Sequence, residues 1–155
     1  MTHQQPIHTN VDERRVKDVA VLAGRILLES GAEGTRVEDT MSRIAASAGY
    51  TESNSFVTNT VINFMLHNET NPRIFRIKTR DTNLFRISRT NEVSRQITKG
   101  ILSLDEAYEE LKYIYNEQSI RHDLIFKFIA AAIISISFLY LQGGHLVDIF
   151  TALIA

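Results

Sequence analysis

Cysteine and tryptophan are absent from the 155 residues, and proline occurs only at Pro6 and Pro72. Without cysteine there is no disulfide scaffold, no thiolate zinc site and no thiol nucleophile. The scarcity of proline, beside an ordinary share of apolar residues, argues against a disordered linker. The N-terminus lacks the apolar stretch of a secretory signal: residues 1–10 are polar, with Gln, His and Thr in its place. The domain that follows is therefore expected on the side where it is made, the cytoplasm. Glycine-rich phosphate loops are missing, which sets aside ATP-driven work by this chain. His3, His8, His67, His122 and His145 are too scattered for metal-ligand spacing. No cofactor and no metal is expected.

A charge excess is lacking as well. The formal net charge is −1, so the whole molecule is neither a polycation seeking nucleic acid nor an acidic tail. That balance conceals segregation. Residues 1–72 carry a net −3, residues 73–99 a net +6 and residues 100–123 a net −4. The last 32 residues hold only Lys127 and Asp148.

Helical periodicity marks four segments of the charged part. Asn10 with Glu13 has capping-box spacing, and Val16, Val19, Ala20, Ala23, Ile26 and Leu27 recur on one face up to Gly31. Thr35 with Glu38 forms a second such pair, ahead of Val37, Met41, Ile44, Ala45 and Ala48, with Gly49 as the stop. The short link from Gly31 to Gly34 makes the two helices neighbours, in the manner of a hairpin. A change of period follows, since Phe56, Val57, Val61, Ile62, Phe64 and Met65 lie among Thr and Asn as strands do. Residues 67–72 read as a turn. Residues 74–80 alternate, with Arg76, Lys78 and Arg80 opposite Phe75, Ile77 and Thr79, as in a half-buried strand. A helix over 84–99 and another opened by Ser103 and Glu106, with the stripe Leu104, Ala107, Tyr108, Leu111, Ile114 and Tyr115, complete the series.

The order is helix–helix, a small antiparallel sheet, then helix–helix, which is α+β and not alternating βαβ. It divides as a tail over 1–9 and an α+β domain over 10–119.

Residues 124–141 read LIFKFIAAAIISISFLYL, with one charge, Lys127, near the start. At 1.5 Å per residue a core of roughly 30 Å needs about 20 apolar residues. With the residues from Ile120 added, a transmembrane helix is expected over 120–142, Lys127 reaching back to the headgroups. Apolar character on every face separates this run from a surface helix, while a buried core helix is the alternative. Ala131 and Ser135, four apart, suit close helix contacts in a bilayer. After the turn at 142–145, residues 146–155 begin another apolar run too short to cross, expected as the start of a truncated second span. Lys112 and Arg121 precede the first span and no Lys or Arg follows it closely, which places the soluble domain in the cytoplasm.

The segments LAGRILLESGAEGTRVEDTMSRIAASAG (22–49), SFVTNT (55–60), the run 78–99 with Arg80, Asn83-Leu84 and Asn91, and GILSLDEAYEEL (100–111) occur in that order. Together with the apolar ending they resemble the threonine/serine exporter family, over residues 16–155. The resemblance implies a secondary exporter of small amino or carboxylic acids such as threonine, serine or succinate. It also implies a cytoplasmic N-terminal domain followed by several spans, in the plasma membrane. The partners implied are the bilayer, the transported acid, and a small all-membrane subunit or further copies of the chain; nucleic acid is not among them. Asn59 stands where the family often has proline, and most of the family's membrane region is not within these residues. The fragment alone is therefore expected not to transport, and not to be an enzyme.

Motif position nominates Arg36, Asp39, Ser55, Thr58, Arg80 and Asn83 as substrate-binding residues. Each has a plainer reading. Glu29, Arg36, Glu38 and Asp39 gather around the first interhelical turn, where acid–base work or cation binding competes with capping and favourable dipole contacts. Ser55, Thr58 and Thr60 offer hydroxyls to a ligand, yet no Gly-x-Ser-x-Gly elbow or paired histidine activates them. The basic run Arg73, Arg76, Lys78, Arg80, Arg86, Arg89, Arg95 and Lys99 fits anionic headgroups, carboxylates or nucleic acid, or simply pairs with the acidic flanks. The rival functions are a small-molecule hydrolase and a soluble interaction module whose last helix lies in its own core.

Overall fold

The apolar stripe of the first helix is the axis around which the charged part of the chain folds. In the computed structural model, which describes residues 10–66, 72–117 and 124–143, that helix is α1 (Asn10–Glu29). It touches α2 (Gly34–Ser47), α3 (Leu84–Thr98), α4 (Leu104–Asn116) and two strands. Val16, Val19, Ala20, Ala23, Ile26 and Leu27 are all buried, as their spacing requires. Gly24 marks the tightest approach: a Cβ there would stand 2.6 Å from Met41 Sδ on α2.

The chain forms two units, Met1–Glu117 and Gln118–Ala155. In the first, strands β1 (Ser53–Val57), β2 (Val61–Leu66) and β3 (Arg73–Arg76) make an antiparallel sheet in the order β1-β2-β3. The period of two is visible in β2, where Ile62, Phe64 and Leu66 are buried and Val61, Asn63 and Met65 are half-buried. Burying each of these larger side chains contributes about 1.5–3 kcal/mol. Phe56 and Ile74 both stand opposite Asn63 in the register, on the other side of the sheet, and both are exposed. The architecture is thus α+β, four helices around a three-stranded sheet.

Helix ends follow local chemistry. At the end of α1, Ala32 N donates to Leu27 O and Gly31 N to Leu28 O, and Gly31 holds φ 91°. These are the 6→1 and 5→2 bonds of a Schellman stop, which needs the left-handed conformation glycine adopts freely. At α4 the expected capping box is complete: Ser103 Oγ accepts from Glu106 N, and Glu106 accepts from Ser103 N. Hydrogen bonds from Ser103 hold the Glu106 carboxyl below the usual carboxylate range.

Two expectations need correction. The Thr35–Glu38 pair forms no capping box: Glu33 is the N-cap of α2 and makes no side-chain cap bond. Glu38 Oε1 instead accepts from Val57 N on β1, at 2.8 Å, a tertiary donor outcompeting the local one. The strand expected over 74–80 ends at Arg76. Ile77 still donates to Thr60 O at 2.8 Å and is buried, but the chain beyond it leaves the ladder for the end of α1. Residues 67–71 of the expected turn lie outside the described residues.

The second unit contains α5 (Leu124–Leu141). Its large apolar side chains Phe126, Phe128, Ile129, Ile133, Ile134 and Phe138 are each more than half exposed. At 100° per residue they point all round the helix. Among the described residues no helix is long and apolar enough to cross a membrane. The 18 residues of α5 rise about 27 Å, against a hydrocarbon core of about 30 Å. The expected span over 120–142 therefore reaches beyond the described helix. The tail over 1–9 and the expected second span over 146–155 lie outside the described residues.

Candidate functional site

Three connections of the first unit meet at one place: the α1–α2 turn, the β1–β2 hairpin tip and the β3–α3 segment. The last carbonyls of a helix have no partner within it. Here the β3–α3 segment supplies the donors, Asp81 N to Glu29 O at 2.8 Å and Asn83 N to Ser30 O at 3.0 Å. The segment runs close over Gly31, whose added Cβ would stand 3.5 Å from Asp81 O.

Arg80 fastens the junction. Its Nη1 donates to Asn59 Oδ1 at 2.7 Å on the hairpin tip, and its Nη2 to Ala32 O at 2.9 Å on the helical turn. A planar guanidinium presents such a fork, whereas a lysine offers its donors from a single point. Thr58 shapes the tip itself: its hydroxyl oxygen accepts from Thr60 N and Val61 N, while Thr58 N donates to Val61 O. Asn83 caps α3, its Oδ1 accepting from Arg86 N at 3.0 Å.

Of the six nominated residues, the structure brings Thr58, Arg80 and Asn83 into this junction. Ser55 lies on β1 opposite Phe64 and is half-buried. Arg36 is exposed on the first turn of α2, and its backbone carbonyl accepts from Thr40 Oγ1. Arg36 and Asp39, both at the first interhelical turn, do not pair with each other among the described ion pairs. Asp39 binds Arg43 instead, at 2.6 Å, because the i,i+4 neighbour on the helix faces it better. Glu29 likewise binds Arg25, four residues earlier, at 2.8 Å.

The Thr58 hydroxyl is occupied in the turn, and all five histidines lie outside the described residues. No group of three or more metal-ligating side chains occurs among the described residues. Asn59 is the residue that sequence reasoning left out of the site, although its place opposite a family proline had drawn attention to it.

Much of the basic run is neutralised. Arg73 pairs with Asp18 at 3.0 Å, Arg95 with Glu92 at 2.5 Å, and Arg89 with Glu110 at 2.5 Å and Glu117 at 3.1 Å. Arg95 holds the Glu92 carboxyl below its ordinary range. Arg86 donates to the carbonyls of Tyr115 and Glu117, covering the open end of α4. The acidic and basic segments thus complement each other across α3 and α4.

A family model described as Putative threonine/serine exporter matches residues 18–155. The chain belongs to this family. The match begins within α1 and takes in the whole loop junction as well as α5. Threonine/serine exporters are a family of membrane transporters and not of enzymes, which gives the apolar ending a context. No curated protein sequence and no solved structure matches the chain.

Proposed function

We propose that the chain is the N-terminal part of a secondary exporter of small amino or carboxylic acids. Its first unit stands in the cytoplasm as a gate, assembly surface or gathering vestibule, and residues 120–142 cross the plasma membrane. The observation that carries this reading is the exposure of large apolar side chains on every face of α5 in a chain of transporter lineage. Water penalises such a surface by about 25 cal/mol per Å2, whereas hydrocarbon accepts it. Residues 120–142 form a stretch of about 34 Å if helical, sufficient for a tilted span. Transport itself would use further spans, supplied by a longer chain, an all-membrane subunit or additional copies.

Within this reading the loop junction transmits movement. Arg80 binds two connections at once, and a shift of the hairpin tip pulls on the α1–α2 turn. Arg36, Asp39, Ser55, Thr58, Arg80 and Asn83 are the positions to alter in export assays, Arg80 and Thr58 foremost. The hydrolase alternative finds less support, since the Thr58 oxygen accepts two backbone hydrogen bonds within the turn. A soluble interaction module would require α5 to be covered.

The full chain, expressed in cells, tests the reading by alkaline extraction of the membrane fraction. Retention in the pellet, with the N-terminus accessible only from the cytoplasmic side, is the expected result. Release of the chain as a monodisperse soluble monomer would overturn it.

A further inference from the structure

A cavity apart from the loop junction lies where α1 meets β3 and α4. Its volume is about 270 Å3, just under the roughly 300–1,000 Å3 of drug-sized sites, and so on the scale of a small metabolite. Leu22, Phe75 and Tyr108 give it apolar and aromatic walls, and its only charged lining residues are Asp18, Arg25 and Arg73.

Asp18 and Arg73 form a pair, Arg73 Nη2 lying 3.0 Å from Asp18 Oδ1 with 47% and 35% of the side chains exposed. An ion pair this open to water contributes only about 0–1 kcal/mol to folding, so it parts readily for a competitor carrying both charges. Arg25 is held quite differently. Its Nε donates to Glu29 Oε1 at 2.8 Å, and Nη2 donates to the Tyr115 hydroxyl. Its guanidinium carbon sits 4.3 Å from the centre of the Phe75 ring and 4.4 Å from that of Tyr115. A cation fixed between two rings and a carboxylate loses little further freedom when it meets an anion.

We propose that this cavity is a binding site for a small zwitterion of the α-amino acid class. The ligand carboxylate lies against Arg73 and the fixed Arg25, its ammonium against Asp18, and its side chain against Leu22 and Tyr108. Both signs of charge, 3.0 Å apart in one small cavity, select the class. A lone anion there meets the Asp18 carboxylate, and a lone cation meets two guanidinium groups. Only a ligand bearing both charges satisfies both sides, a discrimination that rests on repulsion as much as attraction. Binding is non-covalent. In the transporter reading the site lets the first unit sense the solute being exported. That role depends on the exporter proposal, whereas the binding does not.

The test is calorimetric titration of the full chain in lipid nanodiscs with L-threonine, its methyl ester as the matched cation, and 3-hydroxybutyrate as an anion of similar size. Saturable binding of threonine is expected, with the ester and the hydroxy acid each weaker by at least about tenfold. Asp18→Asn and Arg73→Gln should each weaken threonine binding by about tenfold or more while leaving the far-ultraviolet circular dichroism unchanged. Absence of binding up to the solubility limit, equal binding of the ester, or binding indifferent to both variants overturns the site. Alkaline extraction of the same chain separates the two proposals. Retention in membranes without threonine binding removes only the zwitterion site, and threonine binding without retention removes only the exporter role.

Discussion

Residues 10–117 and α5 handle apolar side chains in opposite ways. In the first unit most of them lie on covered stripes: Val16, Ile26 and Leu27 of α1, Val37 and Met41 of α2, and Leu111 and Ile114 of α4 are all buried, with Leu84, Phe85 and Tyr113 as exposed exceptions. In α5 they occupy all faces, and Phe128, Ile134 and Phe138 are uncovered. A protein interior rewards the first pattern because it leaves a polar face for water. The second suits a helix surrounded on all sides, in a core or in a bilayer. The contrast is a property of sequence period, and the proposed membrane span rests on it.

The largest expected effect tests the first half of the contrast. Phe64→Ala removes a fully buried ring from the inner face of β2 and should cost about 3–5 kcal/mol. Chemical denaturation followed by circular dichroism should show the first unit unfolding early, while membrane retention of the chain persists. Next comes the complementary change. Ile134→Arg near the middle of α5 should cost about 2.5–3.5 kcal/mol of insertion. It should shift the chain from the membrane pellet to the soluble or aggregated fraction and leave the unfolding midpoint of the first unit in place. Equal behaviour of the two variants in both assays would dissolve the contrast.

A smaller effect probes the junction. Arg80→Ala removes two hydrogen bonds made by an exposed residue, for a loss of about 1 kcal/mol. Amide exchange should quicken at Asp81 and Asn83 before it changes in the core of α1, since those donors close the helix end. Arg80→Lys should recover only part of the protection.

The smallest effect is one of pH. Glu106 has its folded-state pKa depressed by Ser103. The stabilisation is therefore fully present above the ordinary carboxylate range and fades as pH falls through the depressed value. Thermal melts of the wild type and Glu106→Gln should differ near neutrality and converge in acid. A gap that widens on acidification would contradict the assignment.

Local signals carried most of the fold. The α1, α2 and α4 stripes, the glycine stops and the Ser103–Glu106 capping box depend on near neighbours, so spacing reveals them. Glu38 shows where that logic ends. Its spacing from Thr35 satisfied the capping pattern, but the amide of Val57, nineteen residues away, takes the carboxylate. The early end of β3 has a similar origin, because Asp81 and Asn83 donate to the carbonyls at the end of α1. The candidate site was legible only in part. Motif position marked Thr58, Arg80 and Asn83, but nothing local shows that Arg80 spans two other connections. Nor does spacing show that Asp18 and Arg73 close one cavity with Arg25, since strand register and helix packing bring them together.

The absence of cysteine makes one measurement especially clean. Single cysteines placed in turn along residues 124–141 of the full chain, in sealed vesicles, can be challenged with a membrane-impermeant thiol reagent. The account predicts protection through the middle of the helix on every face, with labelling confined to positions near its ends and protection lost when detergent opens the bilayer. Labelling of the middle positions in intact vesicles, or a periodic pattern protected on one face alone, would contradict it.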